Sequence, residues 1–292
     1  MISSRYDIEK RQRLHAFALF GVQITAVFWI GYEIAFGQIE ILELSLFFVC
    51  LVVNLVGVEI GLHRYFCHQA FAAKPPLKMF LAIASLSAAQ GPILYWVANH
   101  RLHHARSDRA GDLHSPHHGA IKNAGLFRRW WHAHQGWTVS HQLTDTVKYA
   151  RDLYADQLLL KLNRRYSLIV LASIVVPGVF LGIIEGSIAG FVSGFFWGGV
   201  VRLSVALNIT FATNSICHLF GNRRFDTPDQ SRNNLYLNCI SLGGGLHNNH
   251  HAHPNLASCS FRWWEIDAYG WLISLFEKLG LASNVRVKRG NG

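Results

Sequence analysis

Charged residues are scarce in this sequence. They make up 15% of the 292 residues, whereas hydrophobic residues make up 51%, and the mean hydropathy is +0.19. An ordinary soluble domain carries about 25% charged residues, so this composition excludes that class and indicates an integral membrane protein. The net charge of +10 does not indicate a nucleic-acid partner, because the basic residues form no stripe with interleaved aromatics.

Cysteine pairs are also missing. The five cysteines are an odd number and include no CxxC pair, which argues against a disulfide framework or a zinc ribbon. We interpret them as reduced thiols that fill small spaces. A cleavable signal peptide is not expected, since the first apolar run is too long and lacks a convincing small-residue cleavage site.

Four apolar runs are long enough to cross a membrane, which takes about 20 helical residues. They cover roughly residues 14–36, 39–62, 166–184 and 188–210. The short links inside each pair contain no Lys or Arg, whereas the first fourteen residues contain four. By the positive-inside rule, both hairpin tips lie outside and both termini lie in the cytoplasm. The predicted fold is an all-α integral membrane protein, a single domain over residues 1–292, with four transmembrane helices in two hairpins and a cytoplasmic histidine-rich cap.

The polar middle of the chain contains one semi-apolar stretch, residues 77–97. We predict that it forms a helix at the cytoplasmic interface that breaks near Gly91 and Pro92. Arg202 falls near the inner end of the fourth run, where we expect its side chain to snorkel towards water or to face the cap.

Histidines are the feature around which the chain is organised. The motif HxxHH occurs twice, at His100, His103 and His104 and again at His247, His250 and His251. In a helix, the three histidines of each motif share one face, which suits metal binding better than packing.

Three more histidines lie where the predicted spans leave the membrane. They are His63 and His68 after the second span and His218 after the fourth. His63 and His68 stand about 140° apart on a regular helix, so they meet one metal only if the helix ends or bends there; otherwise each serves a different metal. Nine imidazoles exceed the needs of one ion and suit two.

The identity of the metal is open from the residues alone, because imidazole accepts Zn, Cu, Fe or Ni. A metal transporter is the alternative that is not an enzyme, but its ligands would lie inside the spans rather than at their cytoplasmic ends. We interpret the remaining histidines as structural groups held by local hydrogen bonds: His15, His114, His117, His118, His132, His134, His141 and His253.

Four segments resemble the histidine boxes of the membrane fatty acid desaturases, of the acyl-CoA or acyl-lipid delta-9 type. They are His63-Arg64 with His68, His100-Arg101-Leu102-His103-His104, Asn214-Ser215 with His218, and His247-Asn248-Asn249-His250-His251. Three other segments are similar too, so the resemblance runs from about His63 to Val287: Asp112-Leu113-His114-Ser115-Pro116, the helix from Arg202 to Asn214, and Trp263-Trp264-Glu265-Ile266-Asp267.

The resemblance implies an enzyme with two iron ions that uses O2 to introduce a cis double bond, of the delta-9 kind, into a saturated acyl chain. The iron ligands would be the nine histidines, and Asn214 would hold a water on one iron. No catalytic residue beyond these ligands is implied. A related diiron hydroxylase or decarboxylase would share the same metal site and stays an alternative.

The resemblance also implies partners and a location. The substrate would be a fatty acyl-CoA or acyl-lipid, and the electrons would come from a separate donor of the ferredoxin or cytochrome b5 type, because no cytochrome b5 segment is fused to the chain. We expect a bacterial plasma membrane. The acyl carrier, the chain length and the oligomeric state stay open, since several positions depart from the family pattern: Leu113, Phe211, Gly244, Leu246 and His253.

Two further expectations concern the second span. Glu59 lies one turn before His63 and is a candidate to orient its ring, although it also suits the membrane boundary. By α-helical offsets, Val52, Leu55 and Val56 share the face of His63 and would form the floor of an acyl channel.

Overall fold

The computed structural model describes residues 5–37, 39–140 and 143–288, and this part of the chain is almost entirely helical. Four helices are long and apolar enough to cross a membrane: Asp7–Phe36, Ile41–Cys67, Tyr166–Glu185 and Ile188–Leu219. The predicted all-α membrane fold with four spans is therefore confirmed. The second and fourth spans extend further than predicted at the ends that carry His63 and His218. That the chain is one domain stays a prediction.

The helices follow one another in a simple order. They are α1 (Arg5–Phe36), α2 (Ile41–Val56), α3 (Pro75–Ser87), α4 (Ile93–Arg106), α5 (Leu126–Trp131), α6 (Trp137–Ser140), α7 (Thr146–Tyr149), α8 (Gln157–Arg164), α9 (Tyr166–Glu185), α10 (Ile188–Gly194), α11 (Arg202–Leu219), α12 (Leu235–Ser241), α13 (His247–Ala252) and α14 (Ala268–Lys278). Three π-helical segments adjoin them, at Gly57–Cys67, His132–Gly136 and Phe195–Val201. Two short strands, Ala72–Ala73 and Ala282–Ser283, pair antiparallel.

Small residues bring the third and fourth spans together. A Cβ atom on Gly178 would lie 2.7 Å from the carbonyl oxygen of Phe191, and one on Gly194 would lie 2.5 Å from that of Pro177. Such close backbone approach is typical of membrane helix pairs, where van der Waals packing replaces the hydrophobic effect. The tight link between the spans contains Gly186, whose φ of 61° ends α9.

The predicted break near Gly91 and Pro92 is confirmed. Helix α3 ends at Ser87 and α4 begins at Ile93. Between them Ala89 and Gly91 adopt positive φ angles of 55° and 100°, which cannot continue a right-handed helix. The break turns α4 so that its histidines reach the ends of the second and fourth spans.

The π-helical segment Gly57–Cys67 answers the question left open for His63 and His68. Backbone bonds in a π-helix join residues five apart, and the His68 amide donates to the His63 carbonyl at 3.0 Å. The wider turn brings both imidazoles to the same side, with ring centroids 5.0 Å apart. The helix therefore widens locally, and both side chains can serve one site.

Arg202 lies elsewhere than predicted. Its side chain is 2% exposed, so it neither snorkels to water nor faces the cap. It donates to the carbonyl oxygens of Gly198 and Ser173 at 2.7 and 2.6 Å, and it also bonds Asn54. A buried guanidinium with five donors is tolerated where fixed acceptors surround it. Arg202 thus joins the second, third and fourth spans.

Candidate metal centre

All nine predicted histidines come together, and they form two groups whose ligand nitrogens lie within 4.8 Å of one another. The first cluster contains His63, His68, His100, His104 and His250. The second cluster contains His103, His218, His247 and His251. The carboxyl ends of the second and fourth spans therefore meet at one end of the helix bundle, as two parallel hairpins require.

Each HxxHH motif divides its histidines between the two clusters. In α4, the pair His100 and His104 belongs to the first cluster and His103 to the second. In α13 the assignment is reversed, since His247 and His251 belong to the second cluster and His250 to the first. On a helix, residue i+4 is about 40° from residue i on one side and residue i+3 is about 60° away on the other. Each motif therefore spans the boundary between two sites rather than presenting one face to one ion.

The spacing of the Nε2 atoms fits metal binding. Five pairs of facing Nε2 atoms, four in the first cluster and one in the second, are separated by 2.9 to 3.1 Å. Neutral imidazole nitrogens gain little from facing each other unless they share a proton or a cation. Ligands about 2.1 Å from an ion are about 3.0 Å apart at right angles and about 3.4 Å apart in a tetrahedron. In the first cluster, the observed spacing therefore favours five or six ligands around one ion over a tetrahedral site.

Two imidazoles of the second cluster have a free ligand atom. Nε2 of His103 and Nε2 of His251 are buried and have no hydrogen-bond partner among the described residues. In both rings the opposite nitrogen, Nδ1, is held by a carboxylate. A buried polar atom without a partner is costly, and a metal ion at this place would satisfy both atoms. The residues present therefore fit a metal.

Carboxylates orient three imidazoles of the second cluster. The Nδ1 atoms of His103, His218 and His251 lie 3.0, 2.9 and 2.7 Å from Asp112, Asp108 and Asp229 respectively. Burial would raise the pKa of these carboxyl groups, but the histidine hydrogen bonds hold each pKa well below its usual range. Ionised carboxylates that accept from Nδ1 fix the tautomer that leaves Nε2 for a metal.

Two of these three carboxylates are not indicated by any motif in the sequence. Asp112 stands out in the sequence only as part of a segment similar to the desaturases, and no motif points to Asp108 or Asp229. Asp108 stands 110 residues from His218, so no local spacing pairs them. The one signal in the sequence is that acidic residues are scarce, with 17 Asp and Glu residues in all, so each of them is a candidate for a specific role.

Most cluster histidines outside the spans are held neutral, which is the form that binds metals. Burial, and then the neighbouring histidines, lower the pKa well below 6.5 for His68, His100, His104, His247 and His250. Burial also lowers the pKa of His251, to about 4. His103 differs: burial lowers its pKa, but Asp112 and other nearby carboxylates raise it above its ordinary value.

A cavity of about 980 Å³ leads to the clusters. Near the metal site it is bordered by His63, His100, His247, His250 and Asn214. Trp96 also lines it and stacks on His100 with ring centroids 4.7 Å apart. Asn214 thus borders the same cavity as the clusters.

The predicted channel floor is wrong. Leu55 and Val56 are buried in the core, Val52 is 49% exposed on the outer surface, and none of the three lines the cavity. Val58 and Glu59 line it instead. The α-helical offsets fail because the chain is wound as a π-helix between these residues and His63. Glu59 does approach His63, with a carboxylate oxygen 3.4 Å from Nδ1.

The other histidines are distributed around this centre. His114 is buried against His103, with ring centroids 4.3 Å apart, and burial lowers its pKa to about 3. His117 donates from Nε2 to the carbonyl oxygen of His218 at 2.6 Å. His134 bonds Ser215 at 3.0 Å. The contacts of His117 and His134 agree with structural roles, and His141 lies outside the described residues. His114 differs, because its buried Nδ1 has no hydrogen-bond partner among the described residues and it lies with His103 and Asp112 in a third group that could hold a metal.

The fold and the site define a class, a helical membrane protein with four spans and two histidine clusters beside a cavity. The sequence model of the Fatty acid desaturase family matches residues 42–281. The chain belongs to this family, whose members are oxidoreductases.

Individual relatives agree. The chain is 39% identical over 251 residues to a hex-5-enoyl-[acyl-carrier protein] acetylenase of Moorena producens, covering 85% of this chain and 78% of that protein. It is 30% identical to a probable acyl-CoA desaturase of Schizosaccharomyces pombe, covering 93% of this chain but only 54% of the yeast protein. It is also 30% identical to the sn-1 stearoyl-lipid 9-desaturase of Anabaena variabilis, covering 80% of this chain and 79% of that protein.

Proposed function

We propose that the protein is an O2-dependent diiron fatty acyl desaturase that introduces a cis double bond, at the delta-9 position, into a saturated acyl chain. The observation that supports this most is the arrangement of two histidine clusters at the inner end of one cavity. A saturated chain offers only unactivated C–H bonds, so the oxidant must be held beside it and away from water.

The reaction consumes more than the acyl chain. One saturated –CH2–CH2– unit, O2, two electrons and two protons yield one double bond and two water molecules. Two iron ions, one in each cluster, would supply the O2 activation. The ligands would be His63, His68, His100, His104 and His250 for one ion and His103, His218, His247 and His251 for the other, with Asn214 acting through a water.

The protein's own residues would prepare this site. Asp108, Asp112 and Asp229 hold their imidazoles in the tautomer that presents Nε2, so the ligand geometry is set before the metal binds. Burial lowers the pKa of His68, His100, His104, His247 and His250, so these imidazoles would need to lose no proton when an ion enters. Trp96, stacked on His100, continues the cavity wall up to the first cluster and limits the space open to water.

The electrons would come from a separate ferredoxin or cytochrome b5 type donor. The clusters would face the cytoplasm of a bacterium, with both termini on the same side of the plasma membrane. A cysteine introduced at the exposed Asn123 tests this orientation. We expect an impermeant reagent to label it only after the cell is opened, and labelling of intact cells would contradict the topology.

The lipid profile of a producing host tests the function. Gas chromatography with mass spectrometry should find a new alkene inside the acyl chain, and the purified protein should contain about two iron ions. An alcohol would indicate a hydroxylase, and a terminal olefin would indicate a decarboxylase. Unchanged lipids together with bound zinc would favour the transporter.

A second candidate is an acetylenase, which removes two hydrogens from an existing double bond. The 39% identity to the Moorena producens acetylenase favours this alternative. Feeding the host a saturated acid and, separately, hex-5-enoic acid distinguishes the two. A triple bond formed only from the second acid would replace the desaturase proposal.

A further inference from the structure

The outer part of the cavity is open along one helix. Four residues of α1 line the cavity and also have exposed side chains, namely Ile8, Arg11, Leu14 and Ala18. Their spacing of three or four residues places them on one face of α1. The cavity is therefore open to the exterior along about 15 Å of this helix.

The facing wall belongs to the end of α8 and the start of α9. Arg164 and Ser167 line the cavity there and are exposed as well. His15 and Tyr166 join the two walls, with Nε2 of His15 2.7 Å from the tyrosine hydroxyl. The opening thus lies between residues 8–19 and 163–167, and we call it the lateral slit.

The lateral slit lies at the level of the membrane. Leu14 and Ala18 belong to the first candidate span and Ser167 to the third. The neighbouring surface is apolar, since Phe17 is 59% exposed and Leu168 is 63% exposed. Exposed apolar side chains on two spanning helices face lipid rather than water. The slit therefore connects the hydrocarbon region with the cavity.

Two cations stand at the outer end of the slit. Arg11 precedes Leu14 by one turn of the first span, and Arg164 precedes Ser167 by three residues at the entrance to the third. Basic side chains at the cytoplasmic end of a spanning helix lie at the depth of the lipid phosphates. A phosphate bound between Arg11 and Arg164 would place its acyl chain at the slit.

We propose that the lateral slit admits an acyl chain of a membrane phospholipid sideways from the bilayer, with the phosphate held by Arg11 and Arg164. This proposal rests on the proposed function and names its substrate class. A phospholipid cannot pass its charged head through an apolar cavity without a large desolvation cost. An opening in the side wall of the cavity lets one chain enter while the head stays at the interface. The CoA or carrier-protein head of the other acyl donors stays in water, and such a donor can present its chain through an opening at the cap.

Photolabelling in lipid nanodiscs tests the slit without requiring turnover. The probe is a phosphatidylglycerol with a diazirine in the middle of one acyl chain. We expect mass spectrometry to find cross-links on cavity residues of the wild-type protein. Ala18→Trp should reduce them at least about fivefold, because the indole fills the slit. The matched control is Gly21→Trp, one turn deeper on α1, where Gly21 is exposed, does not line the cavity and would have no atom within 4 Å of an added Cβ.

Leu14→Trp is the second blocking variant, and iron content and monodispersity are measured for every variant. Arg11→Gln combined with Arg164→Gln should weaken phosphatidylglycerol labelling by about fivefold. Equal labelling of wild type and both blocking variants would overturn the proposal. The proposal would also be overturned if the cavity were labelled by diazirine palmitoyl-CoA or by diazirine palmitoyl-acyl-carrier protein but not by the phosphatidylglycerol probe. Slit labelling in a protein that forms no double bond would retain the slit and reject the desaturase function instead.

Discussion

The two histidine clusters use the same ligand type but are supported differently. In the second cluster, three of the four imidazoles are backed by buried carboxylates at 2.7 to 3.0 Å. In the first cluster, the corresponding contact is the one between His63 and Glu59, and its length is 3.4 Å. The first cluster instead borders the cavity through His63, His100 and His250, whereas the second does so through His247.

This difference suggests that the second cluster mainly holds its ion, whereas the first cluster lies beside the reacting acyl chain. Carboxylates on Nδ1 make an imidazole a stronger and better oriented ligand, so we expect the second cluster to bind its ion more tightly. Among the described residues, the first cluster has only the longer contact with Glu59 as carboxylate support, and it faces the space where the acyl chain would lie. We expect the cluster with the weaker carboxylate support to be the easier one to disturb.

The largest effect should come from two adjacent residues. His250→Ala and His251→Ala should each reduce activity by at least about a thousandfold and each remove about one of the two ions, because an alanine offers no ligand. The ion lost should differ: the first cluster loses it in His250→Ala and the second in His251→Ala. Mössbauer spectroscopy of iron-57 protein distinguishes the two.

His253→Ala is the control for this pair, since His253 is exposed and belongs to neither cluster. Loss of the same spectral component from both variants would show that the division of α13 between two sites is wrong.

Acid should act in opposite directions on one histidine of each cluster, His100 in the first and His103 in the second. The pKa of His100 is lowered from 6.5 by burial and neighbouring histidines, so below pH 6.5 the unfolded chain takes up a proton that the folded chain refuses, and stability falls. The pKa of His103 is raised, so this residue contributes stability below pH 6.5 that is lost as the pH rises.

Unfolding of the iron-free protein in mixed micelles at pH 7 and pH 5 measures this contrast. His100→Asn should reduce the loss of stability in acid, and His103→Asn should increase it, each by about 1 to 2 kcal/mol. The same sign for both variants would mean that the carboxylates do not determine the protonation of His103.

Removing one carboxylate should weaken the second cluster selectively. Asp108→Asn and Asp229→Asn should each lower iron affinity about 10- to 100-fold, because an amide is a poorer acceptor for Nδ1–H than a carboxylate. Dialysis against increasing chelator concentrations gives the affinity. Asp226→Asn is the control, since Asp226 is fully exposed and pairs only with Arg223 at 3.4 Å among the described residues. Equal iron retention by all three variants would contradict the supporting role.

The smallest effect should come from the first cluster's own carboxylate. Glu59→Gln should weaken iron binding less than about tenfold, because a 3.4 Å contact is too long for a strong hydrogen bond. The same chelator titration measures it. If Glu59→Gln lost more iron than Asp229→Asn, Glu59 would be the stronger support and the contrast between the clusters would be reversed.

Local patterns in the sequence were sufficient for several features. The four spans, the break before Pro92 and the nine histidines of the site all follow from runs, spacings and breaker residues within short windows. Hydrophobic length and i, i+3, i+4 periodicity depend only on neighbouring residues. For that reason these features could be recognised without knowing how the helices pack.

Other features depend on how helices are rotated and wound. His103 could lie in the cluster of His100 or in the cluster of His218, depending on a rotation of α4 about its own axis by some tens of degrees. Only the packing of α4 against the spans determines that rotation. The channel floor was misplaced because π-helical winding before His63 depends on contacts that no short window contains. Asp108 reaches His218 across 110 residues, and α1 meets α9 across 151 residues at the lateral slit. The sequence by itself determined the nine candidate histidines and the membrane helices, whereas the tertiary structure decided the grouping of these histidines, their carboxylate support and the residues that line the cavity.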